Sequence, residues 1–172
     1  MRIAAVVLFT ILVSVLAAQA PIDPKLQGQL KQVFPEGTRF SPKAGSPPHY
    51  TAYSADANSQ NAAGYIFWTT ELEPLERGYD GPIKVLVGMD TRGILTGVVV
   101  TENHEPYGYF SVETPQFAAQ FKNKNIRDAF KVGTDVDAIS RATISVTSAS
   151  RAIRNSARRV ARELLTPPRA GK

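Results

Sequence analysis

Ile83-Lys-Val-Leu-Val87 and Ile94-Leu-Thr-Gly-Val-Val-Val-Thr101, with Asp90-Thr-Arg-Gly93 between them, decide the fold class of this chain. Both runs are rich in β-branched residues, which suit a pleated, half-buried surface. The link is tight and carries Gly93, available for a positive φ. A parallel crossover needs about a dozen residues or more, so these two strands pair antiparallel.

Working outward, 50–53 and 65–70 read as further strands, the second aromatic with Phe67 and Trp68. The polar segment 56–61 joins them as a hairpin loop. Gly78-Tyr-Asp-Gly81 is a turn. Near the N-terminus, Asp23-Pro24 followed by Leu26, Leu30 and Val33 predicts an N-cap, a proline in the first turn and a short amphipathic helix ended by Pro35-Glu36-Gly37. The stretch 41–48 is a Pro/Gly/Ser loop. Thr114-Pro115 caps a short helix carrying Phe117 and Phe121, and 126–130 predicts another. The longest helical pattern is 147–165, with Ala149, Ile153, Ala157, Val160, Ala161 and Leu164 on one face. The outline is α+β: an antiparallel sheet with packed helices, in one domain over 21–165.

The chain has 172 residues, 43% hydrophobic and 20% charged, as a globular protein does. Its formal net charge is +5. No Arg/Lys cluster interleaves with aromatics, so nucleic acid is not an expected partner. There are no cysteines. That excludes disulfides, thiolate chemistry, iron–sulfur ligation and Cys-type zinc sites together. His49 and His104 are the only histidines, and a metal site is not expected. Met1-Arg2, the apolar run 3–18 and Ala18-Gln19-Ala20 resemble a secretory signal. Pro21 makes a poor residue after the cut, so 1–20 is a signal peptide or an uncleaved anchor. Either way the expected location is periplasmic or extracytoplasmic. Residues 166–172 read as a flexible tail.

The stretch Asp137-Ala-Ile-Ser140-Arg-Ala-Thr143 carries the chemistry. It precedes the long helix, whose start supplies free N–H groups and the positive end of a macrodipole. Ser140, Ser145, Thr147 and Ser148 add hydroxyl donors, and Arg141 a fixed charge. Such a segment can receive a phosphate ester, although Ser and Thr also favour helix starts for local capping alone.

The pattern Asp137-x-x-Ser140-x-Ala142-Thr143 resembles the flavinylation motif of the FMN-binding domain family, of the NqrC, RnfG and NosR type. The similarity continues through Phe34-Pro35 to Arg39-Phe40, Pro47-Pro48, Gly64-Tyr65, 78–90, Gly97-Val98 and His104-Glu105-Pro106. It covers about 34–165 and is closest to the periplasmic flavin domain of NosR and NirI. The resemblance implies FMN joined covalently to Thr143 by a phosphoester, with a flavin transferase of the ApbE type as the maturation partner. It also implies that the loop His104-Glu105-Pro106-Tyr107-Gly108 lies against the flavin ring, with Tyr107 offering a stacking face. The family usually has glycine where this chain has Arg141. A positive φ there would strain arginine, and the family geometry would not carry over intact; a negative φ would leave its guanidinium free to pair with the phosphate.

The resemblance implies electron transfer in a respiratory or denitrification-type chain with a redox protein partner, the chain acting as a small shuttle or as a subunit beside a membrane partner. No catalytic dyad or nucleophile–His pair is visible, so an independent enzymatic activity is not expected. The alternative is an envelope binding or assembly module without flavin. Trp68, Tyr65 and Phe67 either border the ring or fill the core. Arg151, Arg154, Arg158 and Arg162 form either a solvated face or a docking patch for an acidic redox partner.

Overall fold

A computed structural model describes residues 22–55 and 61–165. The candidate leader, most of the 56–61 hairpin loop and the tail lie outside the described residues. Among those described, no helix is long and apolar enough to cross a membrane.

Five strands form one antiparallel meander: β1 (Arg39–Phe40), β2 (Tyr50–Tyr53), β3 (Gly64–Trp68), β4 (Lys84–Asp90) and β5 (Leu95–Glu102), neighbouring in that order. The expected hairpin is its best-paired part, with Val87 opposite Val98 and Gly88 opposite Gly97. Asp90 builds its turn by accepting from the amides of Arg92 and Ile94, both at 2.9 Å, while Gly93 takes φ +80°.

The pleat sorts the strand residues onto two faces. Val85, Val87 and Met89 join Phe67 and Leu95 in the larger core, under the long helix α4 (Thr143–Leu164). Leu86, Ile66 and Trp68 point the other way, against Leu30, Val33 and Phe34 of α1 (Pro24–Val33) and its C-cap. As expected, Asp23 caps α1 through the Leu26 amide at 3.1 Å. The end of α1 sits very close to the sheet. A Cβ on Gly88 would collide with the Val33 carbonyl, and one on Gly97 would lie 3.1 Å from it. Thr96 Oγ1 donates to that same carbonyl at 2.5 Å.

Three boundaries differ from the sequence expectation. The aromatic strand stops at Trp68, and Thr69 and Thr70 open a one-turn helix, α2 (Thr69–Leu72). Buried Thr69 makes this possible: its hydroxyl accepts from Val85 N at 3.1 Å and donates to Ile83 O at 3.3 Å, replacing the next rung of the β3–β4 ladder. The segment 126–130 is a turn rather than a helix. There Asn125 and Asp128 spend their side chains on nearby amides, Arg127 N and Asn125 N, and Phe130 takes φ +50°. Finally, α4 begins four residues early, at Thr143, because Val146 and Ala149 are fully buried and pull the preceding turn into the helix. The helix α3 (Pro115–Ala119) is capped by Thr114 as expected.

Trp68 and Phe67 are core residues, and Tyr65 is half-buried with its ring edge-on to His49. Three of the four spaced arginines of α4 tie the helix to loops rather than forming a plain solvated face. Arg151 grips Glu76 through two bonds of 2.7 and 2.8 Å. Arg154 reaches Ala129 O, and Arg158 donates to Ile126 O and Asp128 O at 2.7 and 2.9 Å. Arg159, between them, donates to Leu72 O.

Candidate functional site

The early start of α4 places Thr143 as its first helical residue, with Ala142 at the N-cap. Alanine has no side chain to offer as a cap, and Ala142 is buried in the core. The first intrahelical bond runs from Val146 N to Ala142 O. The amides of Thr143, Ile144 and Ser145 precede it and receive no side-chain cap. Thr143 is exposed, and its hydroxyl makes one long contact, 3.4 Å, to Ile139 O. Its oxygen is therefore open to further bonding.

A cleft of about 490 Å³ opens here, lined by Tyr79, Pro106, Tyr107, Arg141, Ala142, Thr143, Ile144 and Ser145. Its size falls in the range of small-molecule sites, ~300–1,000 Å³. Tyr79, Tyr107 and Ile144 are exposed apolar side chains around the mouth. Tyr107 leans on Phe110, ring centroids 5.3 Å apart, which holds one aromatic wall in place.

Arg141 has φ +67°. The backbone thus adopts the left-handed conformation that glycine takes freely, and the arginine bears the strain. The guanidinium is exposed and lines the cleft.

Glu105 explains how three distant segments meet. Its buried carboxylate accepts from Tyr79 N and Asp80 N, both at 3.0 Å, and from the Ser145 hydroxyl. A Cβ on Gly78 would run into the same carboxylate. Glu105 therefore fixes the 78–81 turn and the 103–108 loop to the first turn of α4. It faces inward and does not line the cleft.

Of the expected site residues, Arg141, Ala142, Thr143, Pro106 and Tyr107 come together around the cleft. Asp137, Ser140, His104, Glu105 and Gly108 do not line it. Asp137 is exposed and its amide donates to Gln120 Oε1 at 2.6 Å. Ser140 and His104 are exposed. Gly108 is small for a different reason than close approach to a ligand: a Cβ there would lie 2.5 Å from Asn103 Oδ1 and 2.7 Å from Glu113 Oε1, and Asn103 Nδ2 donates to that same Glu113 Oε1 at 2.9 Å. Ser145, expected as a phosphate donor, spends its hydroxyl on Glu105, and Ser148 is buried. Tyr79 and Ile144 were missed as walls. A turn tyrosine and an exposed isoleucine carry no chemical signature in the sequence.

The arrangement suits a ligand with a flat apolar body and an anionic tail. Aromatic and aliphatic walls meet the body; open amides, a dipole and a guanidinium meet the tail. FMN has that form, and the residues present fit it. No curated protein matches the chain. The family model of the FMN-binding domain matches residues 78–158, a stretch that contains every wall of the cleft; the match supports an FMN-binding domain and a flavoprotein.

Proposed function

We propose that this protein is an extracytoplasmic electron-transfer flavoprotein whose FMN is esterified through its phosphate to Thr143. The observation that carries the reading is Thr143 itself: an exposed hydroxyl on the first residue of a 22-residue helix whose leading amides have no side-chain cap, at the edge of the cleft. The ester would form between Thr143 Oγ1 and the FMN phosphorus of flavin adenine dinucleotide, breaking its pyrophosphate bond, with AMP as the leaving group and the threonine proton released; a flavin transferase of the ApbE type would carry out the transfer. The Ile144 and Ser145 amides would hold the remaining phosphate oxygens, with the exposed Arg141 side chain on the same cleft. Tyr107, Pro106 and Tyr79 border the ring and limit its contact with water. Bound flavin supplies one- or two-electron chemistry. The protein's part is to orient the ring and leave one edge open to a redox partner.

The resemblance to NosR and NirI supports a place in a respiratory or denitrification-type chain, beside a membrane-bound or soluble donor. The chain's own apolar leader supports an extracytoplasmic location. The reading without flavin, an envelope binding or assembly module, keeps one support: Arg141 stands at φ +67°, where arginine is strained and the family has glycine.

The test is co-expression with a flavin transferase in an exporting host, followed by denaturing electrophoresis. A fluorescent band is expected for the wild type and for Thr143→Ser, and none for Thr143→Val. Intact mass spectrometry of the native protein reports leader removal and the added nucleotide together. A wild type that carries no covalent flavin under these conditions refutes the proposal.

A further inference from the structure

A second cleft, of about 670 Å³, lies at the opposite end of α4, and the proposed flavin site makes no use of it. It lies between the β4–β5 turn, the 126–127 turn and the last turns of α4. Its lining is Thr91, Arg92, Ile126, Arg127, Arg158, Ala161, Arg162 and Leu165. Four guanidiniums stand around a floor made of Ile126, Ala161 and Leu165, with no carboxylate in the lining.

Two of these arginines have structural duties. Arg92 pairs with Asp90 at 2.8 Å, and Arg158 holds the carbonyls of Ile126 and Asp128. The nearby Asp128 carboxylate is taken by the Asn125 amide at 2.8 Å. Arg127 and Arg162 are exposed and join no ion pair among the described residues. A cation in the last turn of a helix is favoured by the dipole alone, which accounts for Arg162 but not for Arg127 on a separate turn facing the same cleft.

We propose that this cleft is a docking surface for an acidic peptide segment of a partner protein, one apolar side chain seated on the Ile126–Ala161–Leu165 floor with carboxylates on either side. An apolar centre with a charged rim is the usual anatomy of a specific interface. All four cations are arginine, whose planar fork matches carboxylates in a bidentate manner. They surround a concavity, so a flat headgroup plane would reach the rim and leave the floor empty. Along the helix, Arg158 and Arg162 stand roughly 22 and 28 Å from Thr143, at ~1.5 Å per residue. A partner held here leaves the Thr143 cleft uncovered, so the surface serves to tether.

The test uses the full chain and a labelled Glu-Glu-Leu-Glu-Glu peptide, followed by fluorescence anisotropy at low ionic strength. Saturable binding is expected, weakened about tenfold or more by Arg127→Glu combined with Arg162→Glu, and by added salt. Glu-Glu-Ser-Glu-Glu should bind more weakly, and Lys-Lys-Leu-Lys-Lys not at all. Thr143→Val should bind as the wild type does. Absence of saturable binding, equal binding by the double variant, or loss on Thr143→Val overturns the proposal. So does sedimentation with phosphatidylglycerol vesicles that depends on Arg127 and Arg162 while the peptide is ignored.

Discussion

Replacing Arg141 by glycine should stabilise the protein, although it removes a large side chain from a ligand cleft. Arg141 sits at φ +67°, where a Cβ crowds the backbone at about 1–2 kcal/mol. Glycine is free of that strain but gains freedom in the unfolded chain, which offsets about 0.4–1 kcal/mol. The exposed guanidinium has little packing to lose. The expected balance is a gain of about 0.5–1 kcal/mol, or roughly 1–4 °C in Tm for a domain of this size. Arg141→Ala is the essential control, because it truncates the side chain and keeps the Cβ; its Tm should stay near the wild type. Thermal unfolding by circular dichroism, without flavin, measures all three. Glycine and alanine variants that melt together would refute the reasoning, since the difference between them isolates the left-handed backbone. With the transferase present, the glycine variant should still accept flavin.

Glu105→Ala should destabilise by about 2–4 kcal/mol in urea unfolding, because it strands the Tyr79 and Asp80 amides. Glu105→Gln, which still accepts, should lose less than half of that. Gly88→Ala should cost about 1–3 kcal/mol, since its methyl meets the Val33 carbonyl, a backbone atom. Burial pushes the Asp135 carboxyl up, but the Lys131 amide, the Lys124 ammonium and the Phe130 amide together hold it below the usual carboxylate range. Its lowered pKa makes its contribution full above the unfolded value and lost as pH falls through the folded one. Asp135→Asn should therefore cost about 1–2 kcal/mol at neutral pH, with the gap to wild type closing below about pH 4 in denaturant titrations.

The sequence made some of this legible and hid the rest for physical reasons. The β4–β5 hairpin was readable because β-branched runs and a glycine turn agree on one local geometry. The cap of α1 was readable for the same reason. The short strand β1 carries too few residues for any periodicity, and it exists through pairing with β2. Thr69 looked like a strand residue; only its position opposite Ile83 and Val85 lets its hydroxyl stand in for a rung. The helical spacing of Ile126 and Phe130 was overridden by the side-chain bonds of Asn125 and Asp128. At the cleft, Thr143 was visible from its motif, whereas the α4 start depended on burial of Val146. The inward turn of Glu105 was invisible, because its partners lie 25, 26 and 40 residues away.

That separation bears on when the cleft comes into being. Until the meander has closed and Glu105 has found both the Tyr79 turn and Ser145, the walls belong to unrelated pieces of chain. A modifying enzyme that reads assembled walls, rather than a bare run of residues, would pass over copies still threading out or misfolded. Installation of the prosthetic group would then double as an inspection of the finished product, with one carboxylate deciding which molecules qualify.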